Sequence, residues 1–193
     1  VTGVQTCALP IYEGGFRVPY IFRWKGTVPA GTVCEQPICS VDLYPTLREL
    51  AGGRTPDDYL LDGVSYTKLL RSGGRETLDR DGIYWHFPGY LGAGQDDWRT
   101  TPAGAIRRGD YKLLEFFEDG RLELYNLADD VGEQKNLAQA NPELTKELHQ
   151  KLVAWRRAIH APMPQPNKEI QSADADSKKG RKNKRARKQA KED

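Results

Sequence analysis

The histidine at position 86 stands in Trp85-His86-Phe87-Pro88, with Tyr90 two residues beyond the proline. A titratable ring set among aromatic side chains suits two roles. It can be a hydrogen-bonded histidine beside the core, or a pocket-wall residue that contacts an anionic substrate or the hydroxyl groups of a sugar. His86 and Tyr90 are therefore the candidate substrate-binding residues, with the core placement of His86 as the competing reading. His149 and His160 stand near Lys and Arg in the last helical stretch and read as solvated.

The remaining chemistry-bearing residues point away from a self-contained catalytic centre. Asp129-Asp130 resembles a pair of catalytic or calcium-binding carboxylates, but it follows the strand-like LYNL and precedes Gly132-Glu133, which is turn chemistry. Asp57-Asp58 and Asp96-Asp97 lie in loop-like segments and read the same way. The cysteines, Cys7, Cys34 and Cys39, form no CxxC pair and no zinc spacing. Cys34 and Cys39 are five residues apart across Pro37, which permits a local disulfide in an oxidising compartment, although free, half-buried thiols are the favoured reading. No glycine-rich phosphate loop, HExxH or GxSxG is present. The sequence names no nucleophile and no metal ligand.

Several elements would position these residues. RVPYIFRW, from Arg17 to Trp24, is β-prone and ends at Lys25-Gly26. SVDLYPTLRELAGG reads as a short amphipathic helix. Ser40 or Asp42 can cap it, Pro45 is tolerated in its first turn, Gly52-Gly53 stops it, and Leu43, Leu47, Leu50 and Ala51 form its apolar face. A brief helical segment in SYTKLLRSGG follows, and then the aromatic strand GIYWHFPGYL. AGAIRRGDYKLLEFFEDGRLELYNL reads as a three-stranded meander with turns at Gly109-Asp110 and Asp119-Gly120. The last helix starts at the N-cap Asn141 with Pro142 behind it, and carries the stripe Leu144, Leu148, Leu152, Trp155 and Ile159.

Charge divides the chain unevenly. Of 193 residues with a formal net charge of +2, Lys178 to Asp193 contain nine Lys/Arg and two acids, a net +7, so the first 177 carry −5. The folded part is acidic, which argues against a nucleic-acid-binding face. The tail lacks apolar side chains to bury and reads as disordered. Without aromatic platforms, any polyanion it binds is held nonspecifically and salt-sensitively. No apolar run reaches the length of a membrane span.

YEGGFRVPYIFRWKG, SVDLYPTLRELAG, LDGVSYTKLL and AIRRGDYKLLEFFEDGRLELYNLADDVGEQKNLA occur in the order found in the type I sulfatases of the alkaline phosphatase superfamily, and resemble their C-terminal portion from Tyr12 to about His160. Lys25 replaces the usual Pro before Gly26, and Val131 replaces the Pro that often follows the turn aspartate. Both departures fall in loops.

The resemblance implies an α/β fold of which this chain holds the end of the large domain (12–80), then a C-terminal subdomain (81–162) with an antiparallel sheet and a packed helix, and a basic tail (163–193). Residues 1–11, VTGVQTCALPI, match no part of a sulfatase and resemble a translated sequencing adapter, so they are set apart as a non-native leader. The implied activity is hydrolysis of sulfate esters, of a sulfated carbohydrate or an aryl sulfate, by a periplasmic or secreted enzyme. It implies Ca2+ and a formylglycine formed from a Cys-x-Pro-Ser-Arg motif. Neither Cys34, followed by Glu-Gln-Pro, nor Cys39, followed by Ser-Val-Asp, fits that motif. The fragment alone is expected to be inactive, with the catalytic and metal residues elsewhere. Alternatives are a phosphonate or phosphate ester hydrolase of the same superfamily, and a non-enzymatic module that binds polyanions through its tail.

Overall fold

A computed structural model of the chain describes residues 11–54, 56, 59–92 and 100–165. The chain to Ala161 forms one compact unit, and residues from Pro162 form a second, of which 162–165 are described. The pairs Asp57-Asp58 and Asp96-Asp97, Cys7 and the basic tail lie outside the described residues.

The centre of the first unit is an antiparallel sheet of four strands in the order of the chain: β1 (Ile83–Phe87), β2 (Ala103–Arg108), β3 (Tyr111–Phe116) and β4 (Leu122–Asn126). Arg108 pairs with Tyr111 across the two-residue Gly109-Asp110 turn, where Gly109 takes the positive φ of 58° that such a hairpin needs. Because side chains alternate across a strand, each face of the sheet collects its own row. Tyr84, Ile106, Leu113 and Leu124 are in register on one face, and Trp85, Ala105, Leu114 and Glu123 on the other.

The first face is covered by the long helix, α4 (Pro142–Ala158), whose Leu148 and Leu152 are buried against Ile106, Leu113 and Leu124. Trp155 stacks on Tyr84 with ring centroids 4.9 Å apart. Asn141 occupies the N-cap position without capping through its side chain, and Ile159 falls past the helix end and is exposed. Burying Leu148 and Leu152 against the strands stabilises this face, at about 25 cal/mol per Å² of apolar surface removed from water.

The second face is covered by an element that the sequence reading did not assign there. Ile11, grouped with the leader in that reading, is 4% exposed and packs with Ala103, Ala105, Leu114, Phe116, Tyr125 and Leu127. It is followed by a single helical turn, α1 (Glu13–Phe16). The expected strand from Arg17 to Trp24 does not form, and no described strand lies beside it to take up ladder hydrogen bonds. Ile21 is consequently 92% exposed.

The helix expected at SVDLYPTLREL forms as one tight turn (Ser40–Asp42) leading into α2 (Leu43–Leu50), but the expected apolar face is not its buried face. Leu43, Leu47 and Ala51 are exposed, and Pro45, Thr46 and Asp42 are inside. Polar chemistry holds this region. The Asp42 carboxylate accepts the N–H groups of Cys39 (2.8 Å) and Val64 (2.9 Å) and pairs with Arg80 at 2.5 Å, while Thr46 Oγ1 accepts the Tyr66 N–H at 3.0 Å. The short α3 (Thr67–Ser72) ends at Gly73 in the left-handed conformation.

Candidate functional site

His86 and Tyr90 emerge at the end of the sheet where β1 leaves, and the β3–β4 turn meets both. The His86 ring lies 5.5 Å from the ring of Phe117, and the Tyr90 hydroxyl donates to Glu118 Oε1 at 2.6 Å. Consecutive residues of one turn thus hold the two candidates on one rim. This hydrogen bond pushes the Tyr90 phenol above its ordinary value, followed by burial. His86 is half-buried and Tyr90 exposed.

The row behind His86 explains its setting. His86 pairs with Gly104 and Gly104 with Glu115, on the face that meets α4. A Cβ at Gly104 would come within 3.2 Å of both Arg156 Nη1 and the Phe117 ring, so a larger residue there would have to push these side chains back by a few tenths of an ångström. Arg156 lies 5.0 Å over the Phe117 ring and donates to Glu115 at 2.5 Å. His149, expected in solvent, instead reaches Glu115 with Nε2 at 3.1 Å and is only about a third exposed. The cause is geometric: His149 directly follows Leu148, so it borders the buried stripe of α4. Burial pushes Glu115 up, but Arg156 and His149 outweigh it and hold the carboxyl below its ordinary value. His160 is exposed just after the helix.

The Asp129-Asp130 pair serves as a turn, as its sequence indicates. Asp130 accepts the N–H groups of Gln134 and Lys135, and Asp129 accepts from the Asn126 side chain. Cys34 is exposed and Cys39 half-buried, both as free thiols. Cys39 Sγ lies 3.4 Å from Asp42 Oδ2, and burial, then the Asp42 charge, pushes its pKa up, away from nucleophilic reactivity. Among the described residues no group of three His, Cys, Asp or Glu is placed to hold a metal ion.

A second constellation was missed by sequence reasoning. On the face opposite α4, the Lys112 ammonium is completely buried between Glu13 Oε1 (3.1 Å) and Glu133 Oε1 (2.8 Å), with the Phe16 ring centroid 4.3 Å away. Arg107 adds a longer contact to Glu13 at 3.5 Å. Burial raises the Glu133 pKa against the opposing pull of Lys112. Strand alternation places Lys112 opposite Tyr111 and Leu113, the one signal that could have revealed it.

The family model described as N-sulphoglucosamine sulphohydrolase, C-terminal, matches residues 9–158. The chain belongs to this sulfatase family. A sulfatase of Formosa agariphila is 38% identical over 164 residues, which cover 78% of this chain and 29% of that protein. Human arylsulfatase D is 36% identical over 110 residues, covering 56% of this chain and 18% of the relative. The chain thus spans less than a third of these sulfatases. Among solved structures, Ps i-CgsB superposes with a TM-score of 0.59 at 30% identity, over 74% of this chain and 29% of that one. BT4656, in complex with its substrate D-glucosamine-2-N,6-O-disulfate, superposes with a TM-score of 0.57 at 26% identity, over 70% and 27%. The fold is that of the alkaline phosphatase-like sulfatases, with the four-stranded sheet and α4 as its C-terminal part.

Proposed function

We propose that this chain is the C-terminal portion of a sulfatase that hydrolyses sulfate esters of a carbohydrate, with aryl sulfates as the simpler alternative substrates. The observation that carries the reading is the sulfatase family match across residues 9–158. The sugar disulfate bound by BT4656 and the κ-ι-κ-neocarrahexaose bound by Ps i-CgsB support a carbohydrate. Calcium and formylglycine do not fit the described residues of this chain, which offer neither a metal-binding cluster nor the Cys-x-Pro-Ser-Arg motif. In this proposal they belong to a portion of the enzyme outside it.

What this chain contributes is a wall for the substrate. His86 offers a ring nitrogen to sulfate or hydroxyl oxygens, and the Tyr90 and Glu118 pair offers a hydroxyl and a carboxylate suited to sugar hydroxyls. The enzyme is proposed to work in the periplasm or outside the cell. No described helix is long and apolar enough to cross a membrane. The basic tail would add sequence-blind attraction to a polyanionic glycan.

The test is sulfate release by the full-length protein from glucosamine 2-N,6-O-disulfate and from a chromogenic aryl sulfate. His86→Ala is expected to lower kcat/KM on the sugar about tenfold or more, the scale of one lost hydrogen bond to a charged group, and to change the aryl sulfate less. Equal, negligible effects would return His86 to a structural role. Absence of sulfate release by the unsubstituted protein from any ester would sink the sulfatase reading.

A further inference from the structure

We propose that Lys112 is a positioning residue: its buried ammonium pins the Tyr12–Phe16 segment across the sheet and, through the packing of Phe16 against Trp85, sets the strand that carries His86. Only the last link, to His86, rests on the sulfatase reading above.

The pin is assembled from three separate stretches of chain. Lys112 comes from the middle of β3, Glu13 from the turn α1, and Glu133 from the loop after β4. Ammonium burial is unfavourable unless opposite charge and hydrogen-bond acceptors compensate it, and here two carboxylates do so while an aromatic face completes the cage. An apolar side chain of similar size would satisfy the core as well or better. A buried ion cluster is thus weak support for stability, and its use lies in defining one placement of the segments it joins.

The backbone is committed to that placement too. Glu133 Oε2 accepts the Glu13 N–H at 2.5 Å, so the turn is held by main chain and side chain together. To deliver its carboxylate inward, Glu133 takes a left-handed φ of 52°, a strained conformation for a residue with a Cβ. The Tyr12 hydroxyl adds a tie to Glu123 at 2.7 Å.

The consequence runs to β1. Among the described residues this strand is at the edge of the sheet and pairs only with β2, so its side-chain packing fixes where it sits. Tyr84 is held by Trp155 on the α4 face, and Trp85 is held by Phe16, 4.7 Å between ring centroids, on the opposite face. Lys112 faces both Phe16 and, at 6.0 Å, Trp85. His86 is the next residue along. With the pin removed, α1 detaches, Trp85 loses one wall, and His86 loses its fixed height on the rim.

The experiment uses the full-length protein carrying this chain, with Lys112→Met and the compensated triple variant Lys112→Met, Glu13→Gln, Glu133→Gln. The triple variant removes the stranded carboxylates and keeps the test available should the single one misfold. Hydrogen exchange is expected to accelerate about tenfold or more in peptides covering 12–17, where the Arg17 N–H bonds the Glu13 carbonyl at 2.8 Å, and to stay unchanged across β3 and β4. Unchanged exchange in 12–17, or an equal rise throughout the sheet, would overturn the pin. The second measurement is a kinetic cycle with the sugar disulfate: Lys112→Met is expected to raise KM more than it lowers kcat, and to add nothing in the presence of His86→Ala. Additive effects would overturn the route through His86. If the unsubstituted protein releases no sulfate, the sulfatase reading fails, and the exchange result still decides whether Lys112 is a pin.

Discussion

Glu115 links a single side chain to the pH response of the molecule. Its carboxylate lies between Arg156 at 2.5 Å and His149 at 3.1 Å, and these outweigh burial to hold its pKa below the ordinary 4.5. A carboxylate whose folded value is depressed stabilises the fold fully above its unfolded value, and that contribution is lost as pH falls through the folded one. Glu115→Gln is therefore expected to destabilise the full-length protein at about pH 6, with the gap to the unsubstituted protein narrowing by about pH 3. Urea melts at the two pH values read the gap. A gap that stays constant or widens in acid would show that the hydrogen-bonding shape of Glu115, rather than its charge, holds the seam.

At the scale of elements, what the sequence disclosed follows from where each element finds its partner. The meander and α4 were readable because their partners lie within a few dozen residues: Gly109-Asp110 fixes one hairpin, and Leu148 and Leu152 meet strands just upstream. The stretch from Arg17 to Trp24 and the face of α2 were misread because periodicity reports apolar residues without naming what they bury against. Lys112 was invisible for a related reason. Nothing near YKLLEFF announces Glu13, 99 residues earlier. His86 and Tyr90 were put forward by residue type alone, and the contacts that Phe117 and Glu118 make with them follow only from the register of the sheet. Two substitutions separate the readable helix from the misread one. Leu152→Ala is expected to cost about 2 to 5 kcal/mol, because it empties a fully buried position between strands and helix. Leu47→Ala, at 55% exposure, is expected to change stability by less than about 0.5 kcal/mol in the isolated chain. Denaturant midpoints measure both, and a near-zero change at Leu152 would mean that the buried face of α4 is misassigned.

For the whole chain, the two covered faces of the sheet contrast with a surface that none of the described residues covers. Val18, Ile21 and Trp24 stand exposed along the unpaired stretch after α1, Val41 in the turn before α2, and Leu43 and Leu47 along α2. Apolar area of this extent on a monomer drives association, and a β-prone segment outside the described sheet gives it a template. The net charge of +2 supplies little repulsion between copies. The isolated 193-residue chain is therefore expected to self-associate, its mean mass rising with concentration in light scattering. Ile21→Lys combined with Leu47→Lys is expected to lower that mass towards the monomer, since both positions are exposed and neither packs in the sheet core. Salt separates this contact from an electrostatic one: sulfate salts strengthen apolar association, whereas they screen attraction between charged segments. Association that weakens as sulfate is added, or that is untouched by the double substitution, would assign the contact to charges instead of to the faces of Arg17–Trp24 and α2.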